Sequence, residues 1–203
     1  KDGKPFKTRE GGVMRLESLL DEIDATMFEK IKSNDSMSED EARETAKIVG
    51  LAALKYGDLS NQASKDYIFD MDRFTSFEGN TGPYILYTIV RIRSILRRYM
   101  EECGENPVKK ITEPQGESDK NLMLTLSRFS EVMKSSYDEK APHKICSYVY
   151  SVCEAFNHFY HETKIMVEED SNVKGEYIRL LEVTERLLLC CIDLLGFKAP
   201  DRM

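Results

Sequence analysis

The chain has 203 residues, with 29 Lys and Arg against 36 Asp and Glu, a formal net charge of −7 and 41% hydrophobic residues. This balance is typical of a globular protein and excludes a disordered chain, while the negative charge argues against nucleic-acid binding through bulk charge alone. The longest aliphatic or cysteine run, residues 187–192, is far shorter than the roughly 20 residues that cross a bilayer. We therefore expect a cytoplasmic protein without a membrane segment.

The five cysteines are odd in number and include no C-x-x-C pair. Such a pattern favours reduced thiols over a disulfide framework or a zinc knuckle. Residue 1 is Lys, and the first residues form a charged stretch with Gly and Pro. We expect the chain to be part of a longer protein.

The first two predicted helices follow from hydrophobic periodicity. Apolar residues recur every three or four positions from Leu16 to the polar stretch at 33–36, which predicts a first helix. Ser38 followed by Glu41 has the spacing of a capping box, in which each residue bonds the other's backbone N–H. The pattern predicts a second helix from there to near Gly57.

The middle of the chain contains a connector and a long helix. Residues 58–82 mix helix breakers with aromatic and charged residues and are predicted to hold only short elements. Pro83 suits the first turn of a helix, where its missing N–H costs nothing, and no breaker follows before Gly104. A third helix is therefore predicted from Pro83 through Met100.

Two helices are predicted after an exposed loop at residues 104–118. Ser118 or Asp119 is expected to cap a fourth helix whose apolar period continues to Met133. Pro142 is expected to open a fifth helix, with apolar residues along one side.

The last predicted helix runs from about Glu176 to Leu195, after a polar break at 168–175, and Gly196 is a suitable C-terminal cap. No segment shows a convincing alternation of period two, the pattern of half-buried strands. The predicted fold class is all-α, a helical bundle. Periodicity does not give the order in which the helices pack.

The third predicted helix carries an aromatic and arginine stripe. At about 100° per residue, four of its side chains fall within about 60° of one another: Tyr84, Tyr87, Arg91 and Arg98. The opposite side is apolar and comprises Ile85, Leu86, Ile89, Ile92, Leu96 and Met100. Tyrosine rings stack on unpaired bases and guanidinium groups pair with phosphates, so the stripe suits single-stranded RNA. The alternative is that it covers a helix edge against the next helix.

Other candidate sites are weaker. His158 and His161 stand beside Glu162, but the order H-F-Y-H-E differs from the zincin H-E-x-x-H, so we expect no metal site, with a zinc enzyme as the alternative. Three aspartates are expected to be solvated or to cap helices: Asp66, Asp70 and Asp72. The basic segment 1–9 suits a polyphosphate, or is a solvated terminus.

Separate blocks of the sequence resemble arginyl-tRNA synthetases. The letters K-P-F-K-T-R at 4–9, followed by Gly-Gly-Val, resemble the signature loop of that family, a divergent form of the class I K-M-S-K-S motif. The blocks K-Y-G-D-L-S at 55–60, D-Y-I-F-D at 66–70 and F-E-G-N-T-G-P-Y at 77–84 resemble the family's join to its anticodon-binding domain. The end of the chain, 194–203, is similar to the terminus of these enzymes.

This resemblance implies two parts and a function. Residues 1–80 would be the tail of a Rossmann catalytic domain, with the K-M-S-K-S-like loop and connecting helices, and residues 81–203 a DALR-type anticodon-binding domain. The chain would be the C-terminal portion of an ATP-dependent arginine–tRNA ligase that positions tRNA(Arg). The longer enzyme would use arginine and ATP with Mg²⁺. The chain lacks the H-I-G-H element that holds ATP, so alone it is expected to be inactive and without a cofactor. We also expect a monomer.

The family's functional residues carry over onto matching positions. The signature-loop residues that attend the ATP phosphates correspond to Lys4 and Lys7. The positions that face the anticodon correspond to Tyr84, Tyr87, Arg91, Tyr160 and Met203. Periodicity adds Arg98 to this set through the stripe. The alternative function is a helical protein-interaction module in which the stripe docks a partner helix, and salt dependence would discriminate between the two.

Overall fold

A computed structural model of the chain describes residues 15–32 and 37–203, and every regular element in these ranges is helical. This confirms the all-α prediction. A short 3-10 turn, Ile165–Val167, follows the seventh α-helix. The α-helices in chain order are α1 (Leu16–Ile31), α2 (Glu39–Leu59), α3 (Met71–Phe74), α4 (Gly82–Cys103), α5 (Glu117–Ser127), α6 (Phe129–Glu139), α7 (Pro142–Glu162) and α8 (Ser171–Leu194).

The predicted starts of α2 and α4 are confirmed by their capping contacts. Ser38 Oγ accepts a hydrogen bond from the Glu41 amide at 3.3 Å, and Glu41 Oε2 accepts one from the Ser38 amide at 3.0 Å. At α4, Pro83 occupies the first turn and Thr81 Oγ1 accepts from the Tyr84 amide. These bonds satisfy backbone donors that a helix start leaves without a partner.

The prediction of a single fourth helix was wrong. The segment divides at Arg128 into α5 and α6, and the Arg128 amide bonds a carbonyl three residues back instead of four. Neither Ser118 nor Asp119 is the N-cap, because the helix begins two to three residues earlier, after Gly116. Asp119 instead reaches back from the first turn and accepts from the Gly116 amide at 2.8 Å.

The predicted start of the last helix was also wrong. Helix α8 begins at Ser171, where the Asp170 side chain accepts from the backbone amides of the first turn. Gly175 lies inside this helix, and a Cβ built there would be 2.4 Å from Val108 Cγ2. The glycine is needed because the loop after α4 lies directly on α8, where Asn106 Nδ2 donates to the Gly175 carbonyl at 2.8 Å.

The helices share one hydrophobic core. Helix α1 packs on α2, α2 on α4, and α4 on α7 and α8, while α5 and α6 pack on α7. A Cβ at Gly82 would be 2.4 Å from the Ala52 carbonyl oxygen, so α4 begins against the α2 backbone. Nearby, Tyr56 is fully buried and its hydroxyl lies 2.8 Å from the Cys146 carbonyl oxygen and 2.6 Å from Asn80 Oδ1. This hydroxyl links α2, the connector and α7.

Residues 195–203 run back along the bundle. Gly196 adopts a φ of 81° and ends α8, as predicted, and Lys55 Nζ donates to its carbonyl. Arg93 NH1 donates to the Pro200 carbonyl at 2.9 Å, and Arg202 pairs with Glu41. Within the part of the chain that the structure describes, no helix is both long and apolar enough to cross a membrane.

Candidate nucleic-acid interface

An open surface lies where α4 meets α7, and we call it the Tyr/Arg groove. It is formed by Tyr84, Tyr87 and Arg91 of α4 with Asn157 and Tyr160 of α7. The apolar face of α4 is buried in the core, which turns its aromatic and arginine stripe toward the edge of α7. Tyr87 is 41% exposed and Tyr160 39% exposed, so both rings offer surface to a ligand.

Tyr84 is the inner, hydrogen-bonded member of the groove. Its hydroxyl donates to Glu154 Oε1 at 2.5 Å and accepts from Asn157 Nδ2 at 2.8 Å. Its ring packs beside that of Tyr150, with the centroids 5.7 Å apart. Burial, together with the Glu154 carboxylate, raises the pKa of Tyr84, so the hydroxyl remains protonated at physiological pH.

Arg91 is the cation of the groove. Its NH1 donates to Asn157 Oδ1 at 2.9 Å. Its guanidinium carbon lies 4.8 Å from the centroid of the Tyr87 ring and 5.4 Å from that of the Tyr160 ring, both within cation–π range. In residues 15–32 and 37–203, the acceptor bonded to Arg91 is Asn157, which leaves the Nε and NH2 donors for a ligand.

Arg98 lies two turns further along α4 than Arg91, beyond the Tyr/Arg groove. Its Nε donates to Glu102 Oε1 at 2.7 Å, and this carboxylate raises the pKa of Arg98. Arg98, Tyr160, His161 and Lys164 line an open cavity of about 470 Å³. The stripe thus continues from Tyr84 to this cavity, where Arg98 is paired with Glu102. The prediction that Met100 belongs to the apolar face was wrong, since Met100 is 55% exposed.

The remaining predicted site residues lie elsewhere. Met203 is half-buried and packs against the core. The residues before it bond Arg93, which lies about 180° around the α4 axis from Tyr84, so this segment approaches α4 from the side opposite Tyr84. Lys4 and Lys7, predicted to attend the ATP phosphates, lie outside the described residues.

The alternative zinc site finds no support in the geometry. In the described portion of the chain, no group of three His, Cys, Asp or Glu side chains could hold a metal ion. His161 lines the cavity beside Arg98, whereas His158 lines a different cavity beside Asp119. Asp70 has the capping role that the sequence allowed, accepting from the Arg73 amide at 3.1 Å.

The cysteines are free thiols, as predicted, and three of them are buried: Cys146, Cys153 and Cys191. Burial raises the pKa of Cys146 and Cys191 to about 12. A thiol must ionise to act as a nucleophile or a metal ligand. These three cysteines therefore act as apolar side chains that pack in the hydrophobic core.

Sequence reasoning missed Glu154 and Asn157. Both lie on the edge of α7 that also carries Tyr150, four and seven positions after it. This spacing could have placed them together on one side of the helix. It could not have shown that this side meets the Tyr84 and Arg91 side of α4.

Comparisons with protein families divide the chain in two. Residues 85–203 match the family model described as the DALR anticodon binding domain. Residues 1–71 match that of the catalytic domain of class I tRNA synthetases of the arginine type.

Curated relatives match the chain over its whole length. An arginine–tRNA ligase from Agathobacter rectalis is 60% identical over 211 residues, and one from Alkaliphilus oremlandii is 52% identical over 203 residues. The chain spans only 35% and 34% of the lengths of these two relatives.

Solved structures show the same fold. The arginyl-tRNA synthetase of Thermus thermophilus matches 95% of the chain with a TM-score of 0.82 at 24% identity, over 33% of its own length. The arginyl-tRNA synthetase of Plasmodium falciparum matches 94% of the chain with a TM-score of 0.78 at 25% identity, over 34% of its own length.

Proposed function

Because the chain belongs to the DALR anticodon-binding family of arginine–tRNA ligases, we propose that its Tyr/Arg groove binds the anticodon stem and loop of an arginine tRNA. The observation that carries the proposal is that Arg91 lies beside two exposed tyrosines and donates a hydrogen bond to Asn157 of α7. We place the functional division near residue 80, with the anticodon-binding part at 81–203 and the part related to the catalytic domain before it.

The groove supplies the interactions that single-stranded RNA requires. The exposed ring of Tyr87 stacks on an unpaired base, and the free donors of Arg91 pair with a phosphate or a base edge. Tyr160, whose ring already lies near Arg91 and stacks on Phe156, adds a contact through its exposed part. Arg98 lies on the same side of α4, where it forms an ion pair with Glu102. Binding the anticodon loop, far from the site of aminoacylation, orients the tRNA for the reaction at its acceptor end. Met203 is retained as a predicted anticodon contact.

We propose ATP-dependent arginylation for the longer protein only, and not for this chain by itself. The match of residues 1–71 to a class I catalytic domain supports ATP use, and Lys4 and Lys7 are proposed to attend its phosphates, with Mg²⁺ as the counterion and arginine as the amino acid. The cytoplasmic location and the monomeric state remain predictions of the sequence.

The proposal is tested by binding at several salt concentrations. The chain should bind an arginine anticodon stem-loop more tightly than an unrelated stem-loop of equal length, and its affinity should fall steeply with salt because phosphate contacts release counterions. Equal affinity for both RNAs across the titration would refute the proposal. If RNA binding fails and a partner helix binds with little salt dependence, the groove is instead a protein-docking surface.

A further inference from the structure

We propose that Asn157 is a positioning residue for RNA, whose side-chain amide holds Arg91 with its Nε and NH2 donors directed at a backbone phosphate. The proposal rests on the proposed function, and it identifies a backbone phosphate as the ligand of Arg91 in the Tyr/Arg groove. Its basis is the hydrogen-bonded chain that runs from Glu154 through Tyr84 and Asn157 to Arg91.

The Asn157 amide is fixed at both ends. Its Oδ1 accepts from Arg91 NH1 at 2.9 Å, and its Nδ2 donates to the Tyr84 hydroxyl at 2.8 Å. The Tyr84 hydroxyl donates its single hydrogen to Glu154, so it can act only as an acceptor toward Asn157. A reversed amide would set Nδ2 against the Arg91 donor, with no proton left to bond Oδ1. The four groups therefore specify one orientation of the Asn157 amide, with its acceptor oxygen on Arg91.

The series of hydrogen bonds from Glu154 to Arg91 orients the Arg91 guanidinium without neutralising its charge. Asn157 is an uncharged acceptor, so Arg91 keeps its full positive charge for a ligand. The acidic member, Glu154, bonds Tyr84 instead of Arg91, and the two neutral side chains separate the carboxylate from the guanidinium. A carboxylate at position 157 would accept the same bond but would form an ion pair with Arg91.

The free part of the guanidinium suits a phosphate. The Tyr87 and Tyr160 rings lie within cation–π range of the guanidinium, and NH1 is already bonded. What remains is the edge that carries Nε and NH2, two parallel donors that match two phosphate oxygens. The exposed Tyr87 ring is the complementary surface for a base, so we assign the Arg91 edge to the backbone.

The test measures the affinity of the chain for the arginine anticodon stem-loop at several salt concentrations. Asn157→Asp keeps the side-chain size but pairs Arg91 internally, so the log–log salt slope should become shallower by about 0.7, the value for one contact to a single strand. Asn157→Ala frees Arg91 but keeps its charge, so affinity should fall about fivefold with the slope unchanged. Asn121→Asp, at an exposed position on α5, is the control for the added negative charge. It should change neither the salt slope nor the affinity.

A double-mutant cycle separates positioning from a structural role. If Asn157 acts through Arg91, Asn157→Ala should cost nothing further in the Arg91→Ala background. Additive losses, or an unchanged slope for Asn157→Asp, would overturn the inference. These outcomes require that the unmodified chain prefers the arginine stem-loop; a chain without that preference refutes the proposed function itself.

Discussion

Removing the Tyr56 hydroxyl should destabilise the bundle, because this group links helices from both family-matched parts. The Tyr56 side chain is fully buried, and its hydroxyl lies 2.8 Å from the Cys146 carbonyl oxygen and 2.6 Å from Asn80 Oδ1. Tyr56→Phe keeps the ring but leaves the carbonyl of the buried Cys146 without this partner. The loss of a buried hydrogen bond with its desolvation cost amounts to about 2 kcal/mol.

Thermal unfolding gives the measurement. For a domain of this size, about 2 kcal/mol corresponds to a fall in Tm of about 4–8 °C. The matched control is Tyr137→Phe, the same chemical change on a side chain that is 84% exposed, and it should change stability by less than about 0.5 kcal/mol. If both variants have the same Tm as the parent chain, the Tyr56 hydroxyl does not stabilise the packing of α2 on α7.

The remaining predictions concern pH and catalysis. Bonds from the Ser38 backbone, and then from Arg202, lower the pKa of Glu41 from its ordinary 4.5 to about 2. Because the folded-state pKa is depressed, this stabilisation is complete above about 4.5 and is lost as the pH falls toward about 2. The Tm difference between the parent and Glu41→Gln should close over that range, and a constant difference would contradict the assignment. The chain alone should catalyse no arginine-dependent pyrophosphate exchange, whereas Lys7→Ala in the longer enzyme should lower exchange far more than tRNA affinity; the reverse pattern would move Lys7 to RNA contact.

Periodicity predicted the elements well where local chemistry determines them. The capping box at Ser38 and the proline at the start of α4 act through neighbouring backbone groups, so the sequence carries their full explanation. Gly175 misled the prediction because its role is tertiary. The loop after α4 approaches α8 at that point, so the glycine is required within the helix instead of preceding it.

The candidate site was predicted from spacing on α4, whereas on α7 only Tyr160 was predicted, and that through the family resemblance. The stripe of α4 follows from spacing within a single helix, since Tyr84, Tyr87 and Arg91 share one side. The contribution of α7 depends on which of its sides packs against α4, and hydrophobic periodicity gives no pairing between helices. The orienting residues Glu154 and Asn157 therefore became visible only in the assembled bundle.

The central claim, that the Tyr/Arg groove is the RNA-binding surface, is tested most directly by the affinity of Tyr87→Ala for the arginine anticodon stem-loop. Tyr87 is exposed beside Arg91, and loss of one stacked base costs about 1–3 kcal/mol, or roughly five- to 150-fold in Kd. Tyr137→Ala, which removes an exposed ring from α6, should leave Kd unchanged. Equal Kd values for both variants and the parent chain would contradict the account.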